Sequence, residues 1–209
     1  MTPELTISLI VILGLLSIYL LVSYPLNKFI KRKLFRYFYY HKIYRYVENK
    51  DLRLINNFEF FIDESTSAHF DHVLFGNKYI YLITDKYWTK GIYGKDEDKS
   101  WLLFKSEEKR IYIDNPLKKN ELRTEKLSLV TGIDMSMFIT IVVVNNDCLV
   151  DENVNINNQH IILKERHLIK TIENFEKENI ESINDEQLQQ VVYAFDKIKN
   201  STSHWSAVF

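Results

Sequence analysis

Residues 5–24 (LTISLIVILGLLSIYLLVSY) run for twenty positions without a charge, and the chain then turns abruptly basic and aromatic. Twenty helical residues span about 30 Å, the thickness of a bilayer's hydrocarbon core. A core helix of a soluble domain would show a polar face within five turns, and this one has none. A cleaved signal peptide would want a basic start and a small-residue cleavage site, whereas this chain begins MTPE and turns basic only after Tyr24. The pattern therefore predicts a transmembrane anchor over residues 1–27, with Tyr19 and Tyr24 at its interfaces. Lys28, Lys31, Arg32, Lys33 and Arg36 follow at once. By the positive-inside rule the N-terminus lies outside and the C-terminal domain in the cytoplasm, the protein sitting in the cell membrane as a single-pass chain.

Residues 27–48 carry no Gly or Pro. Their apolar positions Phe29, Ile30, Leu34, Tyr37, Phe38 and Tyr44 fit a helical period better than a strand's, giving a juxtamembrane helix over 28–50. Its cations, Lys28, Lys31, Arg32, Lys33, Arg36, Lys42 and Arg45, suit two partners. Interleaved with tyrosines they resemble a nucleic-acid surface; beside a membrane span they suit anionic lipid headgroups. Adjacency to the span favours lipid, and one helix has room for both.

Beyond residue 50 short strand patterns alternate with three helices. Residues 52–62 read as a strand, or as two broken at Asn56 and Asn57. Residues 70–75 and 79–83 read as a strand pair joined by a turn at Gly76 and Asn77. Residues 87–99 read as a loop with an acidic knot, and 101–104 and 110–113 as two further strands. Pro116 opens a helix that Gly132 closes. Residues 138–144 (FITIVVV) form a continuous apolar run, the mark of a strand buried on both faces. Residues 145–159 read as an Asn/Asp-rich loop and 160–163 as a last strand. Residues 165–178 and 185–199 read as helices, the second with Leu188, Val191, Val192, Phe195 and Ile198 on one face. The expected fold is α/β, a mixed β-sheet flanked by helices, over residues 51–200, with a tail at 201–209.

Composition adds little except through charge. A 46% hydrophobic content with only 5 Gly and 3 Pro excludes a disordered chain. The single Cys148 excludes an internal disulfide. Net charge is −1, but residues 28–54 hold nine Lys/Arg against Glu48 and Asp51, which leaves 55–209 at −7. That acidity disfavours broad nucleic-acid binding by the domain alone.

Chemistry is concentrated in one place. Asp71 lies inside an apolar strand and Lys86 just past the end of the next, positions that are costly for charges without a partner or a task. The run FDHVLFG, then YLITDKYWTKGIYG, Trp101 and NPLKKN at 115–120, resembles the nuclease-related domain (NERD) family, itself similar to the PD-(D/E)XK restriction-endonuclease-like fold. Asp71, His72, Lys86, Gly91, Gly94, Trp101, Asn115, Pro116 and Asn120 fit its motifs in order. The resemblance implies Asp71 as a Mg²⁺ ligand and Lys86 as the lysine that orients or activates the attacking water. It also implies Gly91, Gly94, Trp101, Asn115, Pro116 and Asn120 as motif positions of the scaffold. Two departures stand out: Thr84 takes the place of the family's metal-binding glutamate, and Lys119 that of its glutamine. Strand alternation points Asp85, the neighbouring carboxylate, to the opposite face unless a bulge re-aims it. A degenerate, non-cleaving domain that binds DNA or a protein partner at the membrane is the first expectation. An active Mg²⁺-dependent DNA endonuclease, with Asp85 or Glu48 supplying the second carboxylate, is the alternative.

Overall fold

A computed structural model describes residues 3–62, 66–151 and 159–205. The expected polar turn at 63–65, most of the loop after Asp151 and the tail beyond 205 lie outside the described residues. The chain divides into two compact units, Met1–His41 and Lys42–Phe209.

Helix α1 is Pro3–Lys50. Within the first unit its apolar stretch is long and apolar enough to cross a membrane, with a mean hydropathy of 1.9 and none of that window buried. Two hydroxyls inside the stretch are turned onto their own helix: Ser17 Oγ donates to Leu13 O at 2.8 Å and Ser23 Oγ to Leu20 O at 3.2 Å. A hydroxyl bonded to its own helix needs no water, which suits a hydrocarbon surrounding. Pro25 follows within the helix, where it has no N–H to give.

The juxtamembrane segment is helical, as its period predicts. Phe29, Ile30, Leu34, Tyr37, Phe38 and Tyr44 are exposed, while Phe35, Tyr39, Ile43 and Tyr46 are buried. A helix ringed with aromatic residues has no unique apolar stripe, so period alone does not select the face. At its end Asp51 takes a left-handed φ of 53° and Leu52 N–H reaches back to Val47 O at 3.1 Å, closing the helix as a Schellman cap without glycine.

Among the described residues of the second unit, nine strands form two sheets rather than one. The five-stranded sheet has the order β1 (Arg53–Phe61), β2 (Ser67–Phe75), β3 (Ile80–Lys86), β7 (Phe138–Val144), β9 (His160–Lys164). β1, β2 and β3 are antiparallel neighbours, whereas β3–β7 and β7–β9 are parallel. The four-stranded sheet has the order β6 (Arg110–Asp114), β5 (Ser100–Phe104), β4 (Gly91–Tyr93), β8 (Leu149–Val150). β4 and β8 fall in stretches read as loops, because strands of three and two residues carry no period.

Every residue of β7 is buried, as its unbroken apolar run requires. On one face of the five-stranded sheet, α4 (Asp185–Trp205) packs Val191, Val192 and Phe195 against Phe58, Phe75 and Phe138. The Phe195 ring lies 4.9 Å from Phe58 and 5.3 Å from Phe75, within the range for favourable aromatic pairs. The predicted face of this helix is thus the one it buries. A second core joins Val142, Val144 and Ile162 to Ile92, Trp101 and Leu117. Between the sheets' strands run α2 (Pro116–Thr131), which Gly132 ends at φ 72°, and, later in the chain, α3 (Leu168–Phe175).

One side chain fastens the second sheet to α2. Asn115 Oδ1 accepts from Leu117 N at 2.9 Å and Lys118 N at 3.3 Å, capping the helix. Its Nδ2 donates to the carbonyls of Asp96 (2.9 Å) and Asp98 (2.8 Å), and more weakly to Lys95 (3.4 Å). The loop it grips also receives Trp101 Nε1 on Lys95 O at 2.8 Å. A Cβ on Gly94 would overlap the Trp101 indole, so only glycine lets the ring lie flat there. Asn115→Ala is expected to destabilise the fold by about 2–3 kcal/mol, the sum of a lost cap and of buried carbonyls left unpaired. Asn115→Asp restores the cap but not the donor, so urea denaturation should return only part of that loss; full recovery would mean that the carbonyl contacts carry no stability.

Candidate functional site

The ladder between β2 and β3 runs from Phe75↔Ile80 to His72↔Ile83 and stops. The ladder between β1 and β2 also lapses at this level, where Asn57, at φ 50°, stands between the pairs Asn56↔His72 and Phe58↔Phe70. β1 is nonetheless one strand, its break at Asn57 reduced to a single left-handed residue of a type that tolerates that conformation. Asp71 occupies the resulting gap. Its Oδ2 accepts the backbone N–H of Asp85 at 2.8 Å, replacing a rung that the parting strands no longer make.

The side chains meet as well. Asp71 and Asp85 are 8% and 5% exposed, and their carboxyl groups are hydrogen-bonded to each other. Alternation places Asp85 on the other face of β3, which stays paired with β7 through Lys86↔Val144; the two carboxyls meet where β2 has parted from β3. Burial, then the hydrogen bond and charge of Asp85, push the Asp71 carboxyl up to about 6. His69 Nε2 lies 3.6 Å from Asp71 Oδ1. The pair holds a shared proton more tightly than isolated carboxylates do.

Lys86, at the end of β3, lies on the same side as Asp71. Partial burial draws its ammonium pKa down, Asp71 and Asp85 oppose that shift, and Arg123 and Lys119 add to it. Arg123 and Lys119 belong to α2, whose positions 116, 119, 120 and 123 form one face at helical spacing. With Thr84, Trp88 and Tyr112 that face lines a cleft of about 470 Å³. Asn120 Nδ2 donates to Thr84 Oγ1 at 3.4 Å, tying the helix to the strand. Arg123 Nη1 reaches Asn120 Oδ1 and His69 O at about 3.5 and 3.4 Å. Asp114 stands at the rim, 3.9 Å from Lys119 Nζ. The sequence reading passed over Arg123, although its place one helical turn beyond Asn120 was a sufficient signal.

His72 faces away from this cleft. Its Nδ1 lies 2.6 Å from Asn56 Oδ1, while Asn56 Nδ2 donates to Tyr44 Oη at 2.7 Å, which assigns the imidazole as donor. Burial lowers its pKa to about 4, so it is a neutral structural residue near pH 7. Cys148 is buried, and its thiol is pushed up to about 11, outside the range of a nucleophile. Gly91 sits where a Cβ would crowd Leu149 across the β4–β8 pair, and Pro116 occupies the first turn of α2. The basic positions of α1 separate. Lys31, Arg32, Lys33, Arg36 and Arg45 are exposed, whereas Lys42 Nζ is bound to Glu165 Oε1 at 2.8 Å; the side chain of Lys28 lies outside the described residues.

A resident Mg²⁺ wants near-octahedral oxygen donors, supplied in part by substrate phosphates and water. The side chains here do not fit one. One oxygen of Asp71 is taken by a backbone N–H, its carboxyl is hydrogen-bonded to Asp85, and Thr84 is neutral and engaged by Asn120. Among the described residues no three His, Cys, Asp or Glu converge.

A sequence model of the family described as Nuclease-related domain matches residues 35–146, more than half of the chain. No curated protein and no solved structure gives a match.

The raised carboxyl has a consequence for stability. A folded-state pKa above the ordinary 3.8 stabilises the fold below pH 3.8, and that contribution is lost as the pH rises through about 6. Asp71→Asn keeps an acceptor for the Asp85 N–H and offers its carboxylate a donor with no proton to lose. The variant is expected to exceed the wild type by about 1–2 kcal/mol, roughly 3–6 °C in Tm, at pH 7.5, with the gap closing towards pH 4. A gap independent of pH in thermal melts would contradict the shared proton.

Proposed function

Because the chain belongs to the nuclease-related domain family, we propose that its cleft binds the phosphodiester backbone of nucleic acid without cutting it, at the surface of a membrane. One observation carries this reading: Lys86, Lys119 and Arg123 line a single cleft while the two carboxyls beside it are hydrogen-bonded to each other. Guanidinium and ammonium groups on one helix face and one strand end suit phosphate oxygens. Carboxyls packed on each other, one of them already engaged by a backbone N–H, are poorly placed to spread around a metal, and Thr84 supplies no charge where the family has glutamate. Lys119, in place of the family's glutamine, adds a cation where a neutral amide would stand.

The binding is expected to depend on α2. With full-length protein in zwitterionic nanodiscs, Lys119→Gln with Arg123→Gln should weaken binding of a labelled oligonucleotide about tenfold or more. It should also lower the slope of log K against log salt by about 1–2. The wild type should leave supercoiled plasmid intact with Mg²⁺ or Mn²⁺. Metal-dependent cutting that disappears in Asp71→Ala would overturn the non-cleaving reading and make Asp71 and Asp85 a working carboxylate pair.

The anchor belongs to the same proposal. The apolar stretch of α1 crosses the membrane with its N-terminus outside, and Lys31, Arg32, Lys33 and Arg36 meet anionic headgroups on the cytoplasmic side. A C-terminal reporter that works only outside the cytoplasm should therefore be silent in the full-length fusion; an active reporter would reverse the orientation.

A further inference from the structure

The cleft has aromatic walls as well as cations. Tyr112 lines it from β6, the edge strand of the four-stranded sheet, and is 79% exposed. Along β6 exposed and half-buried positions alternate, and Tyr112 occupies an outward one. Trp88 lines the cleft from the segment after β3 and is half-buried, packed on the second core. Its backbone N–H is held by Asn145 Oδ1 at 2.9 Å, which fixes that wall.

A single exposed tyrosine is ordinary on a protein surface. Here two further facts bear on it. The cleft's charge is nearly balanced: three cations face Asp114 at the rim and the Asp71–Asp85 pair beside Lys86. Phosphate neutralisation alone therefore gives modest affinity, and the face of an aromatic ring adds a sequence-tolerant contribution of similar size. The space is also restrictive. About 470 Å³ is the size of a small-molecule pocket, enough for a nucleotide. Bases within a duplex keep their faces stacked on one another and offer none to a ring.

Resting on the proposed nucleic-acid reading, we infer that the cleft takes an unpaired polynucleotide strand, one base stacking on Tyr112 while Lys119 and Arg123 hold the adjoining phosphates. Tyr112 is then the residue that separates unpaired from paired substrates. Trp88 bounds the base on the opposite side, and the exposed edge of β6 lets the strand enter from solvent.

The test uses the full-length chain in zwitterionic nanodiscs and fluorescence anisotropy with three probes: a dT 12-mer, an rU 12-mer and a 12-base-pair DNA duplex. The dT strand should bind more tightly than the duplex. Tyr112→Ala should weaken it about tenfold without changing the salt slope or the duplex affinity, and Tyr112→Phe should restore it. Comparison of rU with dT identifies which sugar the strand carries, each result being compatible with an unpaired ligand. Tighter binding of the duplex would overturn the inference. So would a Tyr112→Ala protein that binds dT like the wild type while Lys119→Gln with Arg123→Gln weakens it, and the phosphate reading would then survive alone. If neither set of substitutions alters binding, the phosphate reading itself falls, and the inference with it.

Discussion

The parallel pairing of β3 with β7 is the constraint from which most of the second unit follows. Two parallel strands cannot be joined by a hairpin; the chain must cross over from the end of one to the start of the next. Here the crossover runs from Lys86 to Phe138 and contains β4, β5, β6 and α2. The smaller sheet and the helix that lines the cleft are therefore the connection itself. Because α2 returns along the sheet to reach β7, its Pro116 end begins near the C-terminal end of β3. That return brings Lys119, Asn120 and Arg123 beside Thr84 and Lys86. Ligand sites in sheets with parallel strands commonly lie at such strand ends.

The family's motif residues take on physical meaning in that connection. Gly94 makes room for Trp101, Trp101 and Asn115 hold the same loop carbonyls, and Asn115 starts the helix that presents Asn120 to Thr84. Each is needed to aim α2, and none needs to touch a substrate. These contacts lie within the chain's own scaffold, beside the Asp71–Asp85 pair. Thr84 brings no charge to the lining of the cleft, and Asp85 joins Asp71 in a buried pair. A buried carboxyl pair is stable with one proton between its members, a different state from two carboxylates spread around a cation.

Charge in this chain is divided by position along it. The exposed cations of α1 follow an apolar stretch suited to a bilayer, whereas the remainder of the chain is acidic. Within that acidic remainder Lys86, Lys119 and Arg123 form a local exception, surrounded by Asp71, Asp85 and Asp114. A cleft so balanced carries little net field of its own.

Features written in adjacent residues were legible without coordinates. The twenty-residue apolar run, the limits of α2 set by Pro116 and Gly132, the burial of β7 and the inward face of α4 each depend on local composition or period, and each stands in the structure. Other features depend on which distant segments meet. β4 and β8 exist only because each finds the other's edge, so strands of three and two residues leave no trace in sequence. The division into two sheets follows from that pairing. Which aromatic positions of α1 are buried is likewise not decided by period, because those positions look alike in sequence. Most consequential is Asp85: alternation along β3 points it away from Asp71, and the two carboxyls nonetheless meet where the β2–β3 ladder has ended at His72↔Ile83. Strand period is a local rule, whereas the place where two strands part is a property of the whole sheet, and here that place is the site.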